Sequence, residues 1–212
     1  MRTIIASALL LVVSTGNCQS TAAVAFSDSN FIYELLIDSN HLNIPDDFTV
    51  KYICIVSKKD HREIQEIEAP DNLISSPFGN KKGFGERDFI IEDMNFDGYP
   101  DFRLLEYMPA YTYNANYYDW IYDPVSKRYK RDTVLEEIYG AEFDKGSGRI
   151  RKFWYEPGNS GHSGSEYYEY VDGKITLVET EENEVVFKKG KKEPEYITKR
   201  SRLVNGKMAE VK

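Results

Sequence analysis

The chain has little cysteine and few long apolar runs. It contains only two cysteines in 212 residues, Cys18 and Cys54. Cys18 lies in a predicted leader segment, so Cys54 is left alone in the mature chain and no intramolecular disulfide can form there. The fold must therefore be held by its core. Cys54, between isoleucines, is interpreted as a small buried apolar residue, since no nearby base can be assigned to activate a catalytic thiol.

Positive charge is also scarce. Lys and Arg number 27 against 35 Asp and Glu, which gives a formal net charge of -8. This argues against a nucleic-acid-binding protein, which normally carries a basic surface. The longest apolar run, Ile4 to Val13, is shorter than the roughly 20 residues that a membrane-spanning helix needs, and the mature chain is expected to have no transmembrane segment.

The first 25 residues have the organisation of a signal peptide. Arg2 precedes the apolar run, and Ala23-Val24-Ala25 forms an A-x-A cleavage site that would leave Phe26 at the mature N-terminus. A second possible processing site lies at Cys18, in a segment laid out like a lipoprotein box, although Asn17 occupies a position that normally holds a small residue. The sequence favours cleavage at the first site, after Ala25. It predicts a periplasmic or secreted protein, with an outer-membrane lipoprotein anchored through Cys18 as the alternative.

Aromatic residues are abundant, with 16 Tyr and 11 Phe. Rings of this kind suit half-buried pleated strands. Residues 26–212 read as a series of short apolar-aromatic strands ended by Gly, Asn, Asp or Pro, with one short helical segment at 133–139. The predicted strands are Phe31–Ile37, Phe48–Val56, Glu63–Glu68, Asp88–Glu92, Phe102–Tyr107, Tyr117–Tyr122, Arg149–Tyr155, Glu166–Val171, Lys174–Glu179, Glu184–Lys188, Tyr196–Leu203 and Lys207–Val211. Asp172-Gly173 and Asn205-Gly206 predict type I′ hairpins. These patterns predict a single all-β domain, an antiparallel meander of about ten to twelve short strands in a propeller-like ring, a barrel or a sandwich.

One segment has the spacing of a calcium loop. Residues 93–101 read D-x-N-x-D-G-x-x-D and offer Asp93, Asn95, Asp97 and Asp101, with the carbonyl of Tyr99, as oxygen ligands for Ca²⁺. Leu104 replaces the bidentate Glu of an EF-hand, and both flanks read as strands. The segment therefore resembles the calcium loop of integrin-type propeller blades. The alternative is an Asx-rich turn without metal.

This loop, the strand that ends at Tyr122-Asp123-Pro124, the segment 167–174 and the closing hairpin 196–211 together resemble a family of bacterial envelope proteins. These are the periplasmic immunity proteins of bacteria-killing type IV secretion systems and their uncharacterised relatives. The resemblance covers roughly residues 85 to 211. It implies a propeller-like all-β fold and inhibition of a lysozyme-like, peptidoglycan-cleaving effector. One fold hosts many functions, so the fold is carried over more firmly than the function.

A second resemblance concerns the segment 158–167. Ser163-Gly164-Ser165-Glu166-Tyr167 is similar to the S-G-x-x-Y string of some periplasmic lysozyme inhibitors, in which a loop enters the enzyme's cleft. It implies partner-binding roles for five residues: Ser160, His162, Ser163, Gly164 and Tyr167. The alternative is a flexible connection between two strands. The partner would be a cationic cell-wall hydrolase, steered by the net negative charge. It would meet an exposed surface that combines aromatic side chains from Tyr107–Tyr118 with the Gly158–Gly164 loop.

The hydrolase motifs that this sequence partly matches are incomplete. G-x-S-x-G would need glycine at position 165, which is Ser165, and the three histidines lack metalloprotease spacing. We therefore expect a binding protein and not an enzyme. The alternative to an inhibitor is a structural or carbohydrate-binding envelope module, stabilised by calcium, whose exposed aromatic rings stack on sugars.

Overall fold

The computed structural model describes residues 9–12, 21–38, 47–70, 73–75, 87–107, 115–156, 161–187 and 193–211, with side chains described in 24–36, 50–70, 87–106, 115–156, 161–187 and 193–211. The described chain is almost entirely antiparallel strand in three sheets. It divides into two compact units, 1–92 with 98–133 (unit 1) and 93–97 with 134–212 (unit 2). The all-β prediction is confirmed. The prediction of one domain after a 25-residue signal peptide stays a prediction.

Unit 1 contains two sheets. The first has the order β1-β2-β3-β4-β5, with β6 paired to β4, and the second has the order β10-β9-β8-β7. The strands of these sheets are β1 (Leu9–Val12), β2 (Thr21–Ser27), β3 (Phe31–Asp38), β4 (Asp47–Ser57), β5 (Glu63–Glu68), β6 (Leu73–Ser75), β7 (Phe89–Glu92), β8 (Asp101–Tyr107), β9 (Asn116–Asp123) and β10 (Arg128–Arg131).

Aromatic rings from both sheets form the core of unit 1. Tyr33 of β3 and Phe102 of β8 are fully buried, with ring centroids 5.5 Å apart. Strand alternation places Tyr118, Trp120 and Tyr122 of β9 on this buried side, as the sequence predicts. Burial of such rings is the largest apolar contribution available to a chain of this composition.

A buried hydrogen-bond network ends in that core. The Tyr33 hydroxyl donates to Asp28 Oδ2 over 2.5 Å and lies 2.8 Å from the Tyr129 hydroxyl, which in turn donates to the Pro100 carbonyl over 3.1 Å. Burial raises the pKa of both tyrosines far above the ordinary value, so they stay protonated and can donate. The network fixes Pro100, at the end of the 93–101 loop, against the core of unit 1.

Unit 2 is built on one six-stranded sheet in sequence order, β11-β12-β13-β14-β15-β16. The elements are α1 (Thr133–Glu136), β11 (Glu142–Asp144), β12 (Arg149–Tyr155), β13 (Ser163–Val171), β14 (Lys174–Val186), β15 (Glu195–Val204) and β16 (Lys207–Val211). Both predicted I′ turns are present, with positive φ at Asp172 and Gly173 and at Asn205 and Gly206. No described helix is long and apolar enough to cross a membrane.

Strand β2 crosses the predicted signal-cleavage point. It pairs with β3 from Thr21 to Ser27, and Val24 and Phe26 lie in the core. Cleavage after Ala25 would separate Val24 from the sheet, whereas processing at Cys18 would leave β2 whole. The position of the cleavage site thus decides whether β3 keeps a complete neighbour.

Candidate functional site

The aspartate-rich loop turns sharply between β7 and β8. Phe96 and Gly98 both have positive φ, of 62° and 90°, and glycine adopts this conformation without the cost that a Cβ adds. The Asn95 amide donates to Asp97 Oδ2 over 2.9 Å, and the Asp97 backbone N–H donates to Asn95 Oδ1 over 3.1 Å. The turn that the sequence predicts at Gly98 is therefore present, and two of the predicted calcium ligands are bonded to each other.

The other three predicted ligands have different surroundings. In unit 2, Asp93 is buried, and its Oδ2 lies 3.3 Å from Lys145 Nζ. In unit 1, Asp101 is fully buried, and its Oδ1 accepts the Tyr122 backbone N–H over 2.8 Å, which ties β8 to β9. Tyr99 exposes 43% of its surface. The carboxylates of Asp93 and Asp101 thus already interact with protein donors, and the calcium prediction stays a prediction.

Tyr99 lines an open cleft in unit 1 that sequence reasoning did not find. Its ring lies 5.5 Å from that of Tyr122. The cleft has a volume of about 510 Å³ and is lined by Ser29, Asn30, Phe31, Ser57, Lys58, Lys59, Tyr99 and Tyr122. Burial, with Tyr99 and Asp123 nearby, raises the pKa of Tyr122, whose hydroxyl stays protonated. Pairing of β3 with β4 places Phe31 beside Ser57, whereas Tyr99 and Tyr122 come from the segment that forms the other sheet of unit 1. No local pattern in the sequence therefore predicts the cleft.

The predicted partner-binding residues lie mostly in a strand and not in a loop. Ser160 falls outside the described residues. Ser163, Gly164 and Tyr167 belong to β13, which is paired with β12 on one side and β14 on the other. Alternation puts Ser163 and Tyr167 on one face of the sheet and Gly164 on the opposite face.

Gly164 is required by close packing. A Cβ there would lie 2.5 Å from the Glu181 carbonyl oxygen and 2.7 Å from the Trp154 ring. This accounts for the glycine of the S-G-x-x-Y string through packing, a structural reason that the sequence comparison could not supply.

Exposed aromatic side chains mark one face of the unit 2 sheet. Phe153 and Tyr155 each expose 39% of their surface and pair across the sheet with Ser165 and Ser163, on the same face as Tyr167. Tyr196 of β15 is 80% exposed. The sequence placed an aromatic surface at Tyr107–Tyr118 instead. The side chains of residues 107–114 are outside the described part, Tyr117 stacks on Arg103 with the guanidinium carbon 4.3 Å from the ring centroid, and Tyr118 is buried.

His162 precedes β13 and faces a set of carboxylates. Its Nδ1 lies 3.4 Å from Glu156 Oε2, and its ring packs edge-on against Trp154 with centroids 5.0 Å apart. One ligand atom each from His162, Glu182 and Glu184 lie within 4.8 Å of one another. Among the residues that the structure describes, this is the group of His, Cys, Asp and Glu side chains with metal-ligating spacing.

Comparison with known proteins gives a fold likeness and no family. No protein-family model matches the sequence, and no curated protein matches it. A solved structure described as "Structure of a Xanthomonas Type IV Secretion System related protein" is similar, with a TM-score of 0.64 and 15% sequence identity over 96% of this chain and 98% of that chain. At this identity the likeness establishes the all-β fold.

Proposed function

We propose that this is an envelope protein of the immunity type, which binds and inhibits a lysozyme-like peptidoglycan hydrolase. The observation that carries the proposal is the likeness, over nearly the whole length of both chains, to a protein described as related to a type IV secretion system. The resemblance of the 93–101 loop and the C-terminal hairpins to periplasmic immunity proteins points the same way. The protein would act in the periplasm or after secretion, as its N-terminal segment predicts.

The aromatic face of unit 2 is the best surface for such a partner. Phe153, Tyr155 and Tyr196 offer rings that lose little conformational entropy on binding, and interfaces are enriched in such residues. Ser163 and Tyr167 lie on the same face, so part of the predicted partner-binding set falls within it. A net charge of -8 would speed encounter with a cationic hydrolase.

Inhibition of cationic muramidases by the purified protein tests this proposal. We expect a Tyr155→Ser, Tyr196→Ser double variant to raise the inhibition constant at least tenfold, because each is an exposed ring of the size that anchors interfaces. The control is Tyr52→Ser, at a tyrosine of unit 1 that exposes 38% of its surface, close to the 39% of Tyr155. A panel of muramidases that keep full activity in excess protein, with no hydrolase captured from envelope extracts, would contradict the proposal.

The cleft of unit 1 supports a second candidate, a carbohydrate-binding envelope module. Phe31, Tyr99 and Tyr122 provide faces for sugar rings, and Lys58 and Lys59 lie beside them. Titration with soluble peptidoglycan fragments should then show binding that Tyr99→Ala abolishes. Binding of fragments without inhibition of any hydrolase would favour this candidate over the first.

Calcium binding by the 93–101 loop stays a proposal from its sequence, with Kd on the order of 10⁻⁴ to 10⁻³ M as in extracellular sites. Asp93, Asn95 and Asp97 would have to exchange their present hydrogen bonds for the ion. The melting temperature should rise with millimolar Ca²⁺ in the parent protein and not in Asp97→Ala. An equal melting temperature in Ca²⁺ and in chelator would leave the loop as a plain turn.

A further inference from the structure

We propose that His162, Glu182 and Glu184 form a Zn²⁺ site on the sheet of unit 2. The inference does not depend on the proposed function. It begins with the strand register, because Gly164 pairs with Glu182 and Ser163 with Asn183. Continued by one residue, this register brings His162 opposite Glu184, while Glu182 and Glu184, two residues apart on β14, point to the same face. Three ligand atoms therefore converge within 4.8 Å.

The donor set selects the class of metal. An imidazole nitrogen with two carboxylates suits Zn²⁺, whereas Ca²⁺ and Mg²⁺ take oxygen ligands. Three protein ligands leave a fourth tetrahedral position for water or for a group from a partner. The site is thus chemically distinct from the oxygen-only loop at 93–101.

The imidazole is held in place before any metal arrives. Trp154 packs against the ring, and His162 Nε2 is buried. Glu156 Oε2 lies 3.4 Å from Nδ1, so this carboxylate can orient the ring for a metal bound at Nε2. Glu156 would be a positioning residue. A ring already ordered in this way loses less entropy when a metal binds.

One cation competes for the site. Lys199 Nζ lies 2.8 Å from Glu184 Oε1 and holds the pKa of Glu184 below its ordinary value, with a smaller contribution from His162. The Lys199 side chain is 48% exposed, so it can swing into solvent when a divalent ion takes its place. Zinc binding should therefore displace this ammonium from the carboxylate.

Titration calorimetry with ZnCl₂, in chelator-treated full-length protein, tests the site. We expect one Zn²⁺ per chain, and at least tenfold weaker binding in His162→Ala and in Glu182→Gln. Glu156→Gln should weaken binding less, through loss of orientation. The matched control is His61→Asn, which removes an exposed histidine of unit 1 and places at a positive φ a residue that tolerates it.

Lys199→Met should change the Zn²⁺ affinity in the opposite direction, and it leaves the three proposed ligands in place. Removal of the competing ammonium should tighten Zn²⁺ binding several-fold, an outcome that a purely structural Lys199–Glu184 pair would not produce. Millimolar Ca²⁺ should not displace the zinc. Absence of stoichiometric binding in the parent, or equal affinity in the parent and His162→Ala, would overturn the proposal.

Discussion

The two units of this protein use the same strand alternation in different ways. In unit 1, large rings such as Phe26, Tyr33, Phe89 and Phe102 are fully buried between two sheets. In unit 2, most side chains of β13 and β14 are half-buried, and the strands are joined by ion pairs such as Arg149–Glu179 and Arg200–Glu181. Apolar burial involves no charge that salt could screen, whereas ion pairs at a partly exposed surface are screened by it. We therefore expect the two units to respond differently to mutation and to ionic strength.

The largest expected effect is loss of a core ring in unit 1. Phe102→Ala should lower the free energy of unfolding by about 3–5 kcal/mol, because it removes a fully buried ring that contacts Tyr33, Phe89 and Trp120. Urea denaturation followed by tryptophan fluorescence measures the change. Phe153→Ala, at an exposed position in unit 2, is the control and should cost less than about 1 kcal/mol. Equal losses of stability in both variants would mean that the buried ring of unit 1 contributes no more than the exposed ring of unit 2.

The next effect concerns β2, which contributes Val24 and Phe26 to the core of unit 1. A chain that starts at Phe26 should be less stable than one that starts at Thr21 by on the order of 3 kcal/mol, since it loses the buried Val24 and the β3 hydrogen bonds of residues 21–25. Thermal unfolding of the two chains measures the difference. N-terminal sequencing of the exported protein would show which start occurs in the cell. If the two chains are equally stable, β2 contributes nothing to unit 1 before Phe26.

The comparison also shows which parts of the fold a sequence can predict. Strands with aromatic and β-branched alternation were predicted closely, and β5, β12 and β16 begin and end where the sequence placed them. Strand β14 was predicted as two strands, because Thr180 to Asn183 looks like a polar turn. In the structure these residues continue the ladder, and Glu181 and Glu184 pair with cations of β15. Charge complementarity between neighbouring strands is not visible along one strand.

Short strands were missed for a related reason. β10 and β11 have three or four residues with mostly charged side chains, and only their neighbours in the sheet define them. The same limit applies to sites. The 93–101 turn is local and was predicted. The cleft of unit 1 joins segments far apart in sequence, and the His162 group depends on a shift of register at Tyr167/Tyr168 within the β13–β14 hairpin. Gly164 was singled out by resemblance, yet the close approach of Trp154 explains it only in three dimensions.

An intermediate effect is expected from an ion-pair centre in unit 2. Glu179 is buried, and its Oε2 lies 3.1 Å from Arg149 and 3.2 Å from Arg202. Glu179→Gln should cost about 1–3 kcal/mol, because two guanidinium groups lose a charged acceptor. Glu181→Gln, in a more exposed pair with Arg200, is the control and should cost about 1 kcal/mol or less. Urea denaturation at low and high NaCl should show that the difference in stability loss between the two variants becomes smaller as salt is added. A difference that salt does not change would mean that Glu179 acts through packing.

The smallest expected effect is on the reactivity of Cys54 in unit 1. Its neighbours are carboxylates, which repel a thiolate, whereas the charged neighbours in unit 2 form pairs of opposite sign. Cys54 lies on β4 beside Glu34 and Glu66 of the neighbouring strands, which pair with it directly. Burial, followed by the negative charges of Glu66, Glu63 and Glu34, raises the pKa of the thiol to about 11. The reactive thiolate should thus be roughly 0.1% populated at pH 8, far below that of a free cysteine.

Alkylation kinetics measure this directly. In the folded protein the rate should keep rising with pH beyond the ordinary thiol pKa and level off only near 11, whereas the urea-unfolded chain should level off near the ordinary value. Glu66→Gln removes a nearby negative charge and should speed alkylation at pH 8. Lys59→Gln, in the turn after β4, changes charge without touching the ladder and serves as the control. A folded-state rate equal to that of the unfolded chain would mean that neither burial nor the carboxylates of Glu66, Glu63 and Glu34 raise the pKa of Cys54.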